Sequence, residues 1–278
     1  MAKEEKTGNA IVETIKTVVY ALLIAGVFRT LLFQPFWIPS GSMKQTLLIG
    51  DFLFVNKFAY GYSYASCPSV IIPRFGVDLD AKKLCGMFDG DNNRLFAGDP
   101  ERGDVVVFRH PVSGRDYIKR LIGLPGDRIQ VTGGKLTING EPVPQEPNGQ
   151  FEEVAELQGP QGLRPRCANG AVGQGGICIK ERATETLPNG VSYDVLNIGP
   201  QASDNTGVYT VPQGNYFFMG DNRDNSADSR LAQTAGGVGF VPYENLIGRA
   251  DRIMFSSAGR SMLYFWTWRS DRFFKAVK

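Results

Sequence analysis

The sequence predicts a mostly β protein preceded by one N-terminal membrane helix. Three observations carry this expectation. First, 33 glycines and 16 prolines are spread over 278 residues, between short runs rich in Val, Ile, Phe and Tyr. That is the composition of strands and turns rather than helices. Second, the one long uncharged apolar run, Thr17 to Phe28, lies at the N-terminus. Third, from about Glu141 to Pro212 the composition shifts to Gly, Pro, Asn, Gln and Glu, which reads as an insertion forming a small β subdomain.

Residues 1–14 carry Lys3 and Lys6 and are expected to stay in the cytoplasm. Residues 15–33 are expected to be a transmembrane anchor. The stretch has 19 residues, with Lys16 near one end and Arg29 near the other. A span needs roughly 20 residues, and a charge one turn from the end can snorkel. No small-x-small cleavage site follows the run, so it reads as an uncleaved anchor rather than a removed signal. Lys3, Lys6 and Lys16 precede it and only Arg29 and Lys44 lie near its far side. The positive-inside bias then puts everything after Phe33 outside.

Residues 34–130 and 212–258 are expected to form the main β domain. Its strands are read at Asp51–Phe58, Asp104–Phe108, Asp116–Ile122, Asn215–Met219 and Arg252–Phe255. Arg128–Val131, then Thr-Gly-Gly, then Lys135–Gly140 reads as a hairpin. The inserted β subdomain covers 131–211. Residues 61–100 form a second loop-rich excursion. The tail, 259–278, interleaves Trp266, Trp268, Phe273 and Phe274 with Arg269, Arg272, Lys275 and Lys278. It suits either a membrane surface or packing on its own domain.

This length allows a sizeable core. The net charge of +2 offers no electrostatic case for nucleic acid. Cys67, Cys85, Cys167 and Cys178 are an even set. In an exported domain the two sequence-local pairs could be disulfides, although four cysteines allow three connectivities. A zinc site is disfavoured by the lack of CxxC and of a ligand-spaced partner for His110, the single histidine.

The same histidine shortage shapes the chemistry. A Ser-His-Asp triad would have to use His110, which precedes Pro111 at a strand end, where a surface or turn histidine is the usual case. GxSxG, HExxH and SxxK patterns are absent. A serine nucleophile would then need another base, and lysine is the main option. Lysine is a poor base at its usual pKa of ~10.4 and must be desolvated to act near neutral pH. Lys119, in Tyr117-Ile-Lys-Arg-Leu-Ile-Gly123, shares a strand face with Tyr117 and Leu121, while Arg120 points the other way. Ile38-Pro-Ser-Gly-Ser-Met43 follows the anchor closely. Gly41 permits a sharp or extended path that brings the Ser40 and Ser42 hydroxyls close. The Gly220–Arg230 segment, Gly-Asp-Asn-Arg-Asp-Asn-Ser-Ala-Asp-Ser-Arg, lacks the glycine and glutamate spacing of an EF-hand. Its short polar side chains suit a hydrogen-bonded loop able to orient a catalytic group.

Pro-Ser-Gly-Ser-Met, Gly-Asp-Phe-Leu-Phe-Val-Asn-Lys-Phe-Ala-Tyr-Gly, Arg-Gly-Asp-Val-Val-Val-Phe, Tyr-Ile-Lys-Arg-Leu-Ile-Gly-Leu-Pro-Gly-Asp and the Gly220–Arg230 loop occur in this order. Together they resemble the boxes of bacterial type I signal (leader) peptidases. The resemblance implies a signal-peptidase-like β catalytic domain with an inserted β subdomain, on the outer (periplasmic) face of the inner membrane behind a single-pass anchor. It implies a serine endopeptidase that removes signal peptides from exported preproteins at Ala-x-Ala-type sites, beside phospholipid and without metal or cofactor. It further implies that Ser42 is the nucleophile and Lys119 the neutral general base. Ser40 would help hold the oxyanion beside the Ser42 N–H. Ser226 would orient the Lys119 amine, with Asp228 and Arg230 supporting the loop. Phe36, Ile38, Met43, Leu47 and Ile118 match positions lining shallow pockets for small side chains. One departure is Gln45, where the family usually has proline before the threonine. Two other readings stay open: a specialised peptidase of one secretion or conjugation system, and a membrane-anchored β module that binds exported peptides with a dead site. A serine–lysine autoprotease of the repressor type fits the anchor poorly.

Overall fold

The computed structural model of the chain describes residues 2–31, 33–67, 70–72, 77–79, 85–86, 94–259 and 261–277. Helix α1 (Ala2–Leu31) is followed by strands β1 (Phe33–Trp37), β2 (Asp51–Asn56), β3 (Val70–Ile72), β4 (Val77–Leu79), β5 (Val105–Arg109) and β6 (Asp116–Gly123). Then come β7 (Arg128–Thr132), β8 (Lys135–Ile138), β9 (Glu141–Pro142), β10 (Gln145–Val154), β11 (Ile177–Thr186), β12 (Ser192–Asn197) and β13 (Tyr209–Thr210). The chain closes with β14 (Asn215–Met219), β15 (Val241–Pro242) and β16 (Leu246–Ser256).

The main sheet has the order β1-β2-β16-β5-β6-β14-β15. β2 alternates buried and half-buried positions, with Leu53 and Val55 inward. That period-two pattern belongs to a strand with one face on a core. In β5, Val105 to Phe108 are all buried, as suits a strand covered on both faces. Two further sheets come from the stretch between β6 and β14: β13-β7-β8-β9 and β10-β11-β12. The β7–β8 hairpin falls on the expected residues, with Val131 opposite Leu136.

The register around β6 prepares the functional site. β5 pairs with β6 from Asp116 to Arg120, setting Val106 opposite Lys119. β14 joins the other edge of β6 only from Arg120 onward, where Met219 faces Arg120. Among the described residues no strand covers the second edge of Asp116 to Lys119. The chain also leaves β14 at Met219, so the Gly220–Arg230 loop starts beside Lys119. The core packed behind this region unites Ile38, Met43 and Leu47 with Leu53, Val55, Val105, Val107 and Ile253.

The expected anchor coincides with a helix, but its spanning of a membrane is not established by that helix. Residues 15–33 fall mostly within α1, but among the described residues no helix is long and apolar enough to cross a membrane. Leu32 and the side chain of Arg29 lie outside the described residues. Ile15, Leu22, Leu23 and Ile24 on the same helix are exposed.

The tail packs in part on its own domain. Arg272 turns inward and grips Asp51 with two bonds, 3.0 and 2.6 Å, and Arg269 donates to the Ile49 carbonyl. Trp268 packs edge-on against Phe255. Leu263, Phe265 and Trp266 are left exposed. Lys278 lies outside the described residues. The cysteines form the two local pairs, Cys67–Cys85 and Cys167–Cys178.

Candidate active site

The turn carrying Ser42 is pinned from both sides by main-chain bonds. On one side the Ile38 N–H donates to the Asp51 carbonyl (2.9 Å), and the Gly50 N–H to Ile38 (3.0 Å). On the other, the Asn222 N–H donates to the Ser42 carbonyl (3.0 Å), and Asn222 Nδ2 to the Gly41 carbonyl (2.8 Å). Ile38, Met43 and Leu47 sink into the core and leave the hydroxyl-bearing residues at its edge. Gly41 has no left-handed φ; its value is space. A Cβ there would lie 3.3 Å from Lys44 Cε and 3.4 Å from Asn225 Nδ2.

Lys119 enters from β6. Its Nζ lies 2.6 Å from Ser42 Oγ and donates to the Ile118 carbonyl at 3.0 Å. The residue is 4 % exposed, and its amine stands 5.7 Å from the centre of the Tyr117 ring on the same strand face. Burial pulls the amine down from its ordinary pKa to about 8, against the opposing pull of Asp228 and then Asp221. Arg120 points to the opposite face, as its neighbouring position requires. It forms a forked pair with Asp221 at 2.8 and 2.7 Å, and Thr46 donates to the same carboxylate.

The polar loop closes the site. Arg230 forks onto Asp228 through Nε and Nη2, both at 2.9 Å, and the Gly220 N–H donates to Asp228 Oδ2. Burial alone would raise the Asp228 carboxyl; Arg230 overrides it and keeps the pKa below the ordinary carboxylate range. Gly220 is a close-approach glycine. A Cβ there would lie 2.3 Å from Ser226 Oγ and 2.6 Å from the Ser42 carbonyl oxygen.

The expected residues therefore gather around one point, with different strengths of contact. Ser40 Oγ is exposed and stands 3.5 Å from Ser42 Oγ. No hydrogen bond within the protein takes the Ser42 N–H among the described residues. Ser226 Oγ has no hydrogen-bond partner of good geometry, so its expected bond to the Lys119 amine is not formed here; it lies near enough to Asp228 to add weakly to holding that carboxyl ionised. Phe36 and Ile118 are half-buried against the same apolar cluster that contains Ile38, Met43 and Leu47. His110 is buried rather than at the surface. Its Nδ1 accepts from the Val112 and Ser113 N–H groups and its Nε2 donates to Gly237. Both ring nitrogens are thereby occupied, which leaves none to act as a base.

Sequence reasoning singled out the Gly220–Arg230 loop but gave no individual role to Asp221 or Asn222 in it, nor to Arg120. A signal existed for Arg120: consecutive Lys and Arg in an otherwise apolar strand put one charge on each face, and a buried charge needs a partner.

Comparison with known proteins follows the same outline. The family model described as signal peptidase, peptidase S26, matches residues 11–255. Signal peptidase I of Rickettsia typhi is 38% identical over 261 residues, covering 91% of this chain and 83% of that protein. Signal peptidase I of Rickettsia massiliae is 39% identical over 248 residues, covering 86% and 77%. The crystal structure of a signal peptidase I from Enterococcus faecalis is 26% identical and covers 54% of this chain and 96% of its own, with a TM-score of 0.28 that carries no structural argument.

Proposed function

The chain belongs to the signal peptidases of the peptidase S26 family, serine proteases that remove signal peptides from preproteins, and we propose that it does so with Ser42 as nucleophile and Lys119 as general base. The observation that carries this reading is the 2.6 Å contact between Lys119 Nζ and Ser42 Oγ, together with an amine lowered to about 8.

An extended preprotein segment adds as a strand to the uncovered edge of β6 at Asp116–Lys119 or to the outer edge of β1. Alternate side chains then face Phe36 and Ile118, over the floor made by Ile38, Met43 and Leu47. Small residues at two alternate positions, as in Ala-x-Ala, suit the shallow pockets that the family resemblance implies here. The neutral amine takes the Ser42 proton as Oγ bonds to the scissile carbonyl carbon. The Ser42 N–H and the Ser40 hydroxyl hold the oxyanion. Collapse breaks the C–N bond, and the Lys119 ammonium returns the proton to the leaving amine. Water, giving a proton to Lys119, then attacks the Ser42 ester, and the Lys119 ammonium returns that proton to Ser42 Oγ as the ester C–O bond breaks and the product carboxyl leaves. Asp228 and Arg230 hold the loop that backs the pair, and Ser226 on that loop orients the amine as substrate arrives.

The exposed apolar side chains of α1 and of Leu263, Phe265 and Trp266 support a membrane-held enzyme, single-pass with its active domain outside the cytoplasm. A shared membrane would raise the effective concentration of enzyme and preprotein. The test is cleavage of a preprotein carrying an Ala-x-Ala site in detergent micelles. Wild type should cut at that site, and Ser42→Ala and Lys119→Met should fall to background. Wild-type inertness on several such substrates, or equal cutting by the variants, would overturn the assignment.

A further inference from the structure

Two positions after Ser42, Lys44 is buried and forms a cross-link that the family resemblance does not account for. Its Nζ bonds Glu153 Oε2 at 2.5 Å and Gln158 Oε1 at 2.7 Å. The two side chains of the ion pair are 5 % and 11 % exposed. Glu153 lies on β10, separated from Lys44 by 109 positions. The next residue, Gln45, reaches the same insertion through a 3.1 Å bond from Nε2 to Asp194 Oδ2 on β12. Glu153 also takes Lys180 from β11, so its carboxylate ties three segments together.

We propose that Lys44 and Gln45, held by Glu153, Gln158 and Asp194 of the insertion, are positioning residues for Ser42, standing in for the proline expected before Thr46. The inference rests on Ser42 being the nucleophile. The Lys44 stem passes so close to Gly41 that a Cβ there would meet its Cε at 3.3 Å. Fixing the far end of that stem therefore fixes the turn beneath Ser42. Proline restricts a chain through its ring; here two polar anchors on a neighbouring sheet restrict the same residues. The effect is one of place, because the charges acting on the Lys119 amine are Asp228 and Asp221, not Lys44. The insertion thus becomes part of the active site's support.

The test uses the full chain in detergent. Lys44→Met keeps the stem, loses the ammonium and leaves Glu153 paired with Lys180. Glu153→Gln and the Lys44→Met/Glu153→Gln double variant complete a cycle, and Gln45→Ala probes the second anchor independently. Each single variant should lower kcat about tenfold or more, as small misplacements of reacting groups do, with KM within about twofold. The pH midpoint of the reaction should not move. The double variant should be no slower than the worse single one, as expected of one coupled unit. Lowered melting temperatures with kcat unchanged would reduce the contact to fold stability and overturn the proposal, as would losses that multiply in the double variant. Should the Glu153 variant fail to fold, Lys44→Met and Gln45→Ala still decide the question. Ser42→Ala separates the two claims. If it remains active, the nucleophile assignment itself is wrong; if it is inactive while the Lys44 and Gln45 variants match wild type, only the positioning role fails.

Discussion

Lys119 Nζ and Ser42 Oγ meet at 2.6 Å in a contact closed to solvent, where burial holds the amine at about 8. A base acts only when neutral, so activity is tied to that value. The logarithm of kcat/KM should climb with unit slope below a midpoint near pH 8 and level off above it, when measured between about pH 6 and pH 10. A flat profile over that range would mean another group takes the proton.

The same burial costs stability. The amine titrates at about 8 in the fold against 10.5 unfolded. A cation is therefore buried at a penalty that is fully present below about pH 8, fades as pH rises from there to 10.5, and is gone above it. Lys119→Met should stabilise the fold by about 3 kcal/mol at neutral pH and by little at strongly alkaline pH. Denaturant unfolding at the two pH values measures the difference. Equal stability of wild type and variant at neutral pH would show that the amine is solvated.

Gly220 separates the Ser42 turn from the loop behind it. Gly220→Ala would put a methyl group 2.3 Å from Ser226 Oγ and 2.6 Å from the Ser42 carbonyl oxygen. One of the two elements must retreat. Overpacking of this kind costs about 1–3 kcal/mol, and the displaced Ser42 should lose about a hundredfold in kcat. A variant with wild-type kcat would show that the loop does not support the nucleophile.

Asp228 opposes the lowering of Lys119. Asp228→Asn should move the midpoint of the pH profile to lower pH, because one negative charge near the ammonium is removed. It also strands the buried Arg230 guanidinium, so stability should drop by about 3–5 kcal/mol. A midpoint shifted upward would contradict the electrostatic arrangement.

Much of this was legible in the sequence, because the informative features are local. The period-two run of β2, the apolar run of β5 and the Thr-Gly-Gly turn between β7 and β8 each announce themselves within a few residues. Ser42 and Lys119 were weak signals taken singly, a serine beside glycine and a lysine among apolar neighbours; the ordered set of motifs that resembles the family singled them out. The supports were not legible. Lys44 meets Glu153 across 109 positions and Arg120 meets Asp221 across 101; no periodicity encodes such pairs. His110 read as a surface or turn residue because a buried imidazole differs from an exposed one only through its partners. The tail was ambiguous for the same reason: Arg269 and Arg272 bond inward while Leu263 and Trp266 face out, and composition alone cannot divide the two.

The most direct measurement of the dyad is peptide mapping after brief exposure of the full chain to an acylating serine-hydrolase inhibitor. The adduct should fall on Ser42 in wild type, form faster as pH rises through about 8, and be lost in Lys119→Met. An adduct on another residue, or undiminished labelling of Ser42 in Lys119→Met, would contradict the assignment of nucleophile and base.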